Sequence, residues 1–264
     1  MSEVKIKDVQ EKILEIIVYF DDICRMNGIE YYLMGGSALG AIRHEGFIPW
    51  DDDLDVFMTY DNYKKFISVF REQLDTDRFY LQEEATEEWP LYFSKIRMNG
   101  TIFMESNNIG RNMHNGVFID VFCLNNVANN KLISYIQYVA ARVLTAITLS
   151  RRGYFTNNKK KLVAIKLARI LDSKVMEKLL IKIVRSNNKK STKYVGHFFG
   201  KAKFKNSYFP KIYLGKPRYV KFENLMLPVP NKVEEYLKDR FGDYMMIPSK
   251  EEQDNSVHAE FVKL

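Results

Sequence analysis

Cysteine is nearly absent from this 264-residue chain: only Cys24 and Cys123 occur, far apart and away from any histidine. That excludes a disulfide framework and a cysteine-based zinc site, and it predicts two reduced, partly buried thiols in a cytosolic protein. Long apolar runs are missing too. No stretch of 18 or more apolar residues occurs, so no membrane-spanning helix is expected. The first residues, MSEVKIKDVQEKILEI, mix charges at helical spacing and do not read as a signal peptide. There is no internal repeat and no low-complexity tract. Acids are scarce in one region: residues 151–218 hold twenty Lys or Arg against Asp172 and Glu177 alone.

What is present is enough for a real core. The chain is 46% hydrophobic, with 18 Phe and 16 Tyr, which excludes a disordered protein and allows one large domain or two modest ones. A net charge of +7 favours an anionic partner. No RNP, zinc-finger or helix-turn-helix signature points to nucleic acid, and none is expected as a partner.

The spacing of Val9, Ile13, Ile16, Ile17, Phe20 and Ile23 predicts a helix over 4–27, stopped by Asn27-Gly28. Ile29–Met34 reads as a strand that ends at two glycines, and Ser37–Arg43 as a short helix. A strand, a Gly-Gly-Ser turn and a helix N-terminus make a natural anion site. Leu54–Met58 is the next strand and Tyr63–Leu74 the next helix. Further strands are expected at 79–82, 92–98, 101–105 and 117–122, with Asn99-Gly100 as a hairpin turn. The fold class is therefore α+β: a mixed sheet flanked by helices up to about residue 125, then a helical, basic second half. Lys131–Leu149 and Leu162–Val184 read as helices. On the second, Lys174, Lys178, Lys182 and Arg185 form a stripe opposite Leu171, Val175, Leu179 and Ile183. Three segments are expected: a catalytic core at 1–128, a basic helical region at 129–221, and a C-terminal segment at 222–264 that packs back on the core.

The stretch GGSALGAIRHEGFIPWDDDLD, from Gly35 to Asp55, carries the chemistry. Asp53 and Asp55 share one face of a strand, because side chains alternate. Asp120 stands inside the apolar run GVFIDVF, where a buried carboxylate needs a partner. Three such carboxylates can complete an oxygen shell for Mg²⁺, which neutralises phosphate charge during in-line attack. A bare Asp-x-Asp is as often a solvated turn. The order glycine-serine turn, Asp-x-Asp, then a lone Asp in an apolar strand is a sharper signal.

That order resembles the nucleotidyltransferase superfamily. Within it, LMGGSALGAIRHEGFIPWDDDLDVFMTYDNYKKF, GVFIDVF and YLKDRFGDYMMIP followed by His258 are similar to the LicD family of phosphorylcholine transferases. The resemblance is dense over 30–125 and 222–258. It implies transfer of phosphocholine from CDP-choline to a hydroxyl of a lipid-linked, cell-surface glycan, such as teichoic acid, lipopolysaccharide or a capsule precursor. CMP would be released, and two Mg²⁺ ions are expected. Asp53, Asp55 and Asp120 are the expected metal ligands, with Asp120 activating the acceptor. Gly36 and Ser37 would hold the diphosphate and Arg43 would clamp phosphate, a surface ion pair with Glu45 being the alternative. Lys95, Arg97 and His258 are further phosphate-binding candidates. Choline is a permanent cation suited to aromatic faces, so Trp50, Tyr92 and Tyr244 are cage candidates. Transfer of another phospho-group such as ribitol phosphate, or of a nucleotide, and a non-catalytic binding protein stay open as alternatives. A cytoplasmic protein is expected, with peripheral contact at the inner membrane face through 162–185.

Overall fold

The computed structural model describes residues 5–264, except 106, 107, 109, 155, 157 and 255–258. The chain divides into two compact units. The first comprises residues 1–89, 93–123 and 213–264, and the second 90–92 and 124–212.

The first unit begins with helix α1 (Ile6–Met26), whose apolar stripe is buried along its whole length. Phe20, fully buried, meets Tyr31 edge-on at 5.1 Å and packs against Phe66 and Phe70. Burying one such side chain contributes about 1.5–3 kcal/mol. Then follow β1 (Tyr32–Leu33), α2 (Gly36–His44), β2 (Asp55–Thr59), α3 (Tyr60–Gln73), β3 (Phe79–Gln82), β4 (Ser94–Met98), β5 (Ile102–Glu105) and β6 (Phe118–Val127). Five of these strands form a sheet in the order β1-β2-β6-β4-β3. The β4–β6 pair is antiparallel and sets Lys95 opposite Asp120, while β3–β4 sets Tyr80 opposite Arg97. The expected hairpin at Asn99-Gly100 does not form as a strand pair. β4 is held by β3 and β6, and the strand after the turn, β5, pairs with the C-terminal strand β11 (Ala259–Lys263). The Asn99 amide instead holds the carbonyls of Thr76 and Asp77.

The C-terminal part of this unit adds the hairpin β9 (Arg218–Phe222) and β10 (Leu225–Val229), and the helix α7 (Val233–Phe241). A short helix, α8 (Lys250–Asp254), and β11 close the chain; the sequence pattern gave no sign of either.

In the second unit, α4 (Lys131–Arg151), α5 (Lys159–Ala168) and α6 (Lys174–Val184) accompany strands β7 (Tyr194–Gly196) and β8 (Tyr208–Pro210). β7 pairs with the last residues of β6, at Asn125–Val127. The single helix expected over 162–184 is two helices. A 3-10 turn at Arg169–Leu171 ends the first, and the Ser173 hydroxyl caps the second by accepting from the Met176 N–H at 3.2 Å. The lysine stripe of α6 also does not oppose Leu171, Val175 and Leu179: all of them are exposed. The inward side is Met176, Leu180, Ile181, Ile183 and Val184.

α4 is long and apolar enough to cross a membrane by length and composition alone. It is buried on one side only, and Leu132, Ile133, Tyr135, Ile136 and Val139 are exposed. Ala140, Ala141, Leu144 and Ile147 are buried along one side. The fully buried Gln137 accepts from the Ala128 N–H and donates to the carbonyls of Asn126 and Val184.

Candidate active site

The site is built where α2 starts and where β2 and β6 run side by side in the first unit. Gly35, at φ +62°, turns the chain from β1 into α2, a conformation that costs glycine little. The turn is pressed against carboxylates. A Cβ on Gly36 would stand 3.1 Å from Asp51 Oδ2, and one on Gly35 would stand 3.4 Å from Asp55 Oδ2. The buried Ser37 hydroxyl accepts from the Asp55 N–H at 2.7 Å, which ties the helix start to β2. The Asp120 N–H donates to the Leu54 carbonyl at 2.9 Å, which sets β6 beside β2.

The electrostatics follow from this crowding. Burial first, and then the charges of Asp53, Asp120 and Asp51, push the Asp55 carboxyl well above the usual carboxylate range; Lys95 pulls the other way. Burial raises Asp120 as well, against the attraction of Lys95, whose Nζ lies 2.8 Å from Asp120 Oδ1 and 3.8 Å from Glu105 Oε2. Lys95 is only 1% exposed and also lies over the Phe118 ring, 3.1 Å from its centroid. As the side chains stand, no three metal-binding groups converge among the described residues. The donors around the turn are carboxylate oxygens, the type that a hard divalent cation takes.

Several supports were not legible beforehand. The Gln10 amide of α1 donates to the carbonyls of Ile48 (3.2 Å) and Asp51 (2.8 Å), holding the acidic loop. A glutamine one turn before Ile13, on the apolar face of α1, was the available signal. The Asp52 carboxylate is 2% exposed and accepts from the Ala259 N–H at 3.0 Å. The Tyr236 hydroxyl of α7 accepts from the Gly35 N–H at 3.1 Å, so the C-terminal helix holds the glycine turn. Glu223 accepts from the Phe47 N–H at 3.0 Å.

Known proteins can now be set beside this geometry. The family model LicD/FKTN/FKRP, nucleotidyltransferase domain, matches residues 28–132. The lipopolysaccharide cholinephosphotransferase LicD of Haemophilus influenzae is 31% identical over 260 residues, covering 96% of each chain. The chain belongs to the LicD family. It is a phosphotransferase, and its α+β core is the nucleotidyltransferase-like sheet that the sequence implied. A shorter likeness, 47% over 38 residues, links it to the human ribitol 5-phosphate transferase FKRP; it covers 14% of this chain and 8% of that one.

The segment that matches the LicD-family model contains Gly36, Ser37, Asp53, Asp55, Lys95 and Asp120, which the structure gathers around one place. Other expected residues lie elsewhere or are otherwise engaged. Arg43 is in the last turn of α2, roughly 10 Å along the helix from Gly36. Its guanidinium does not pair with Glu45. It donates to the carbonyls of Tyr244 and Met246, each at 3.0 Å, and so latches the C-terminal loop; Glu45 pairs with Lys221. Trp50 already has a cation near its ring, with the Arg43 guanidinium carbon 5.9 Å from the centroid, so a choline there would meet a like charge. Tyr244 meets Arg43 through its backbone rather than its ring. Tyr92 is a core residue of the second unit, stacked on Phe199 at 4.5 Å with its hydroxyl donating to Glu177. It is closed to a choline because both ring faces and its polar end are in use or buried.

Arg97 is fully buried, bonded to Gln82 and to the Gly116 carbonyl, with burial lowering it to about 10. It braces the sheet rather than opening to a ligand. His114 bonds Asn99 and the Gly116 N–H and stacks on Tyr80, which commits it to the same brace. His258 lies outside the described residues.

Proposed function

We propose that this enzyme transfers phosphocholine from CDP-choline to a hydroxyl of a lipid-linked, cell-surface glycan, releasing CMP, with Mg²⁺ bound by Asp53, Asp55 and Asp120. The observation that carries the reading is the contact between the glycine turn and the carboxylates. A helix N-terminus favours an anion, while a cluster of carboxylates repels one. The two are compatible as neighbours when a cation joins phosphate to carboxylate. The near-complete alignment with a lipopolysaccharide cholinephosphotransferase supports choline as the cargo, and supports lipopolysaccharide among the candidate acceptors.

On this reading, the backbone N–H groups at Gly36 and Ser37 orient the diphosphate. The Ser37 hydroxyl already accepts from Asp55 and keeps its own hydrogen to donate. Bound Mg²⁺ would supply charge neutralisation on the phosphate under attack. Asp120 is the group that receives the acceptor's proton, and the ammonium of Lys95 beside it opposes the upward push that burial gives the Asp120 carboxyl. Tyr236 and Gln10 fix the turn and the acidic loop so that neither must be ordered on binding.

Transfer of ribitol phosphate is the second reading, favoured by the short likeness to the ribitol 5-phosphate transferase. Calorimetric titration of CDP-choline, CDP-ribitol and CTP, with and without Mg²⁺, separates the two. Metal-dependent binding of CDP-choline alone is expected. Preference for CDP-ribitol would replace the cargo, and binding unaffected by Mg²⁺ would remove the metal from the reading.

A further inference from the structure

In the second unit, two consecutive helices turn apolar side chains outward. α5 and the turn after it expose Val163, Leu167, Ile170 (81%) and Leu171, and α6 exposes Val175 (78%) and Leu179. Val163 and Leu167 share a face of α5 and Val175 and Leu179 a face of α6, with Ile170 and Leu171 exposed in the turn between them. Exposed cations stand among them in sequence: Lys159, Lys160 and Lys166 on the first helix, Arg169 in the turn, and Lys174, Lys178 and Lys182 on the second. The inward residues are different ones, Ile165 and Ala168 on α5 and Leu180, Ile181 and Val184 on α6. The two acids of this stretch, Asp172 and Glu177, are held by Arg151 at 2.6 and 2.9 Å, so they do not neutralise the lysines.

We infer that α5 and α6 form an interfacial surface that rests on an anionic lipid bilayer. Exposed aliphatic side chains gain by entering the acyl boundary, and lysine stems lie along it with their ammonium groups at the head groups. Phosphate-bearing lipids supply the opposite charge. The same surface suits other occupants poorly. A nucleic acid would use the lysines but leave the aliphatic stripes in water, and no aromatic ring stands among those exposed residues for a base to stack on. A second copy of this chain meeting the first about a two-fold axis would set lysines against lysines. The inference goes beyond the transfer reaction and holds whichever donor is used.

The test is co-sedimentation of the whole chain with phosphatidylcholine vesicles, with and without phosphatidylglycerol, over a range of salt. Binding is expected only with phosphatidylglycerol, weakening as salt rises. The variant Lys174→Glu, Lys178→Glu, Lys182→Glu should lose more than about tenfold in binding. The variant Leu167→Ser, Val175→Ser, Leu179→Ser keeps the charge and should also lose binding, with an unchanged circular dichroism spectrum. Wild-type binding by the serine variant would overturn the inference, since a plain lysine patch would then suffice. Wild-type chain that ignores phosphatidylglycerol vesicles would overturn it too. So would a dimer in sedimentation equilibrium that the serine variant dissolves, because a second copy would then be the occupant.

Discussion

α1 and the pair α5–α6 carry much the same kind of sequence, aliphatic residues at helical spacing with charges between them, yet they end in opposite environments. α1 buries nine side chains, among them Ile16, Ile17 and Phe20. α5 and α6 together bury only Ile165, Ala168 and Val184, and leave their most regular apolar stripe in water. Periodicity shows that a helix has an apolar side; it does not say what covers that side. Covered by its own sheet, the stripe of α1 stabilises the fold and carries the loop that presents Asp51 and Asp53. Left open and ringed by lysine, the stripe of α5–α6 is available to something outside the chain.

The largest expected effect lies in the site that α1 supports. Asp55→Asn should lower turnover by about a thousandfold, as removal of a group that stabilises developing charge does. It should also raise the melting temperature of the metal-free protein, by ~2–4 °C for each kcal/mol relieved. The sign follows from the raised pKa of Asp55. Between its ordinary value and its raised one, the folded chain holds a proton that the unfolded chain has released, so stability falls as pH rises through that window. The asparagine variant has no such loss. Melting curves of both proteins against pH, without Mg²⁺, check it; parallel curves would contradict the crowding of carboxylates.

Next in size is the contrast between the helices themselves. Phe20→Ala should cost about 3–5 kcal/mol in chemical denaturation. Leu179→Ala, equally aliphatic in pattern, should change stability by less than about 0.5 kcal/mol. A large loss in the second would mean that α6 is covered within the chain. Smaller still, Tyr236→Phe removes one acceptor from the Gly35 amide and should cost about 0.5–1.5 kcal/mol, seen as weaker nucleotide binding with a near-normal rate at saturation. Arg43→Lys should leave nucleotide binding intact, because its guanidinium is engaged by the carbonyls of Tyr244 and Met246; limited proteolysis of the 242–250 loop should quicken instead.

The cluster of the glycine turn and its carboxylates was readable in advance for a simple reason. Gly35, Gly36, Ser37, Asp53 and Asp55 lie within 21 consecutive residues, where local rules of turn and strand decide direction. Asp120 joined them because an aspartate between Ile119 and Val121 has little reason to exist without a partner. Arg43, Trp50, Tyr92 and Arg97 are the opposite case. Their residue types suit a ligand, but their partners are Tyr244 and Met246, Arg43 itself, Phe199 and Glu177, and Gln82 and Gly116. Three of those four are spoken for by the fold, and Trp50 by Arg43.

The sequence by itself determined the α+β class, most helices and strands, the glycine turn and the carboxylates, because each depends on neighbours within a few residues. Tertiary structure decided the rest. It broke 162–184 into two helices, sent β5 to β11 instead of β4, and brought Gln10, Ala259 and Tyr236 to the acidic loop and the glycine turn from the two ends of the chain. It also chose which stripe of α5 and α6 faces inward. Those outcomes depend on which distant surface pays the cost of leaving water, and no local spacing encodes that.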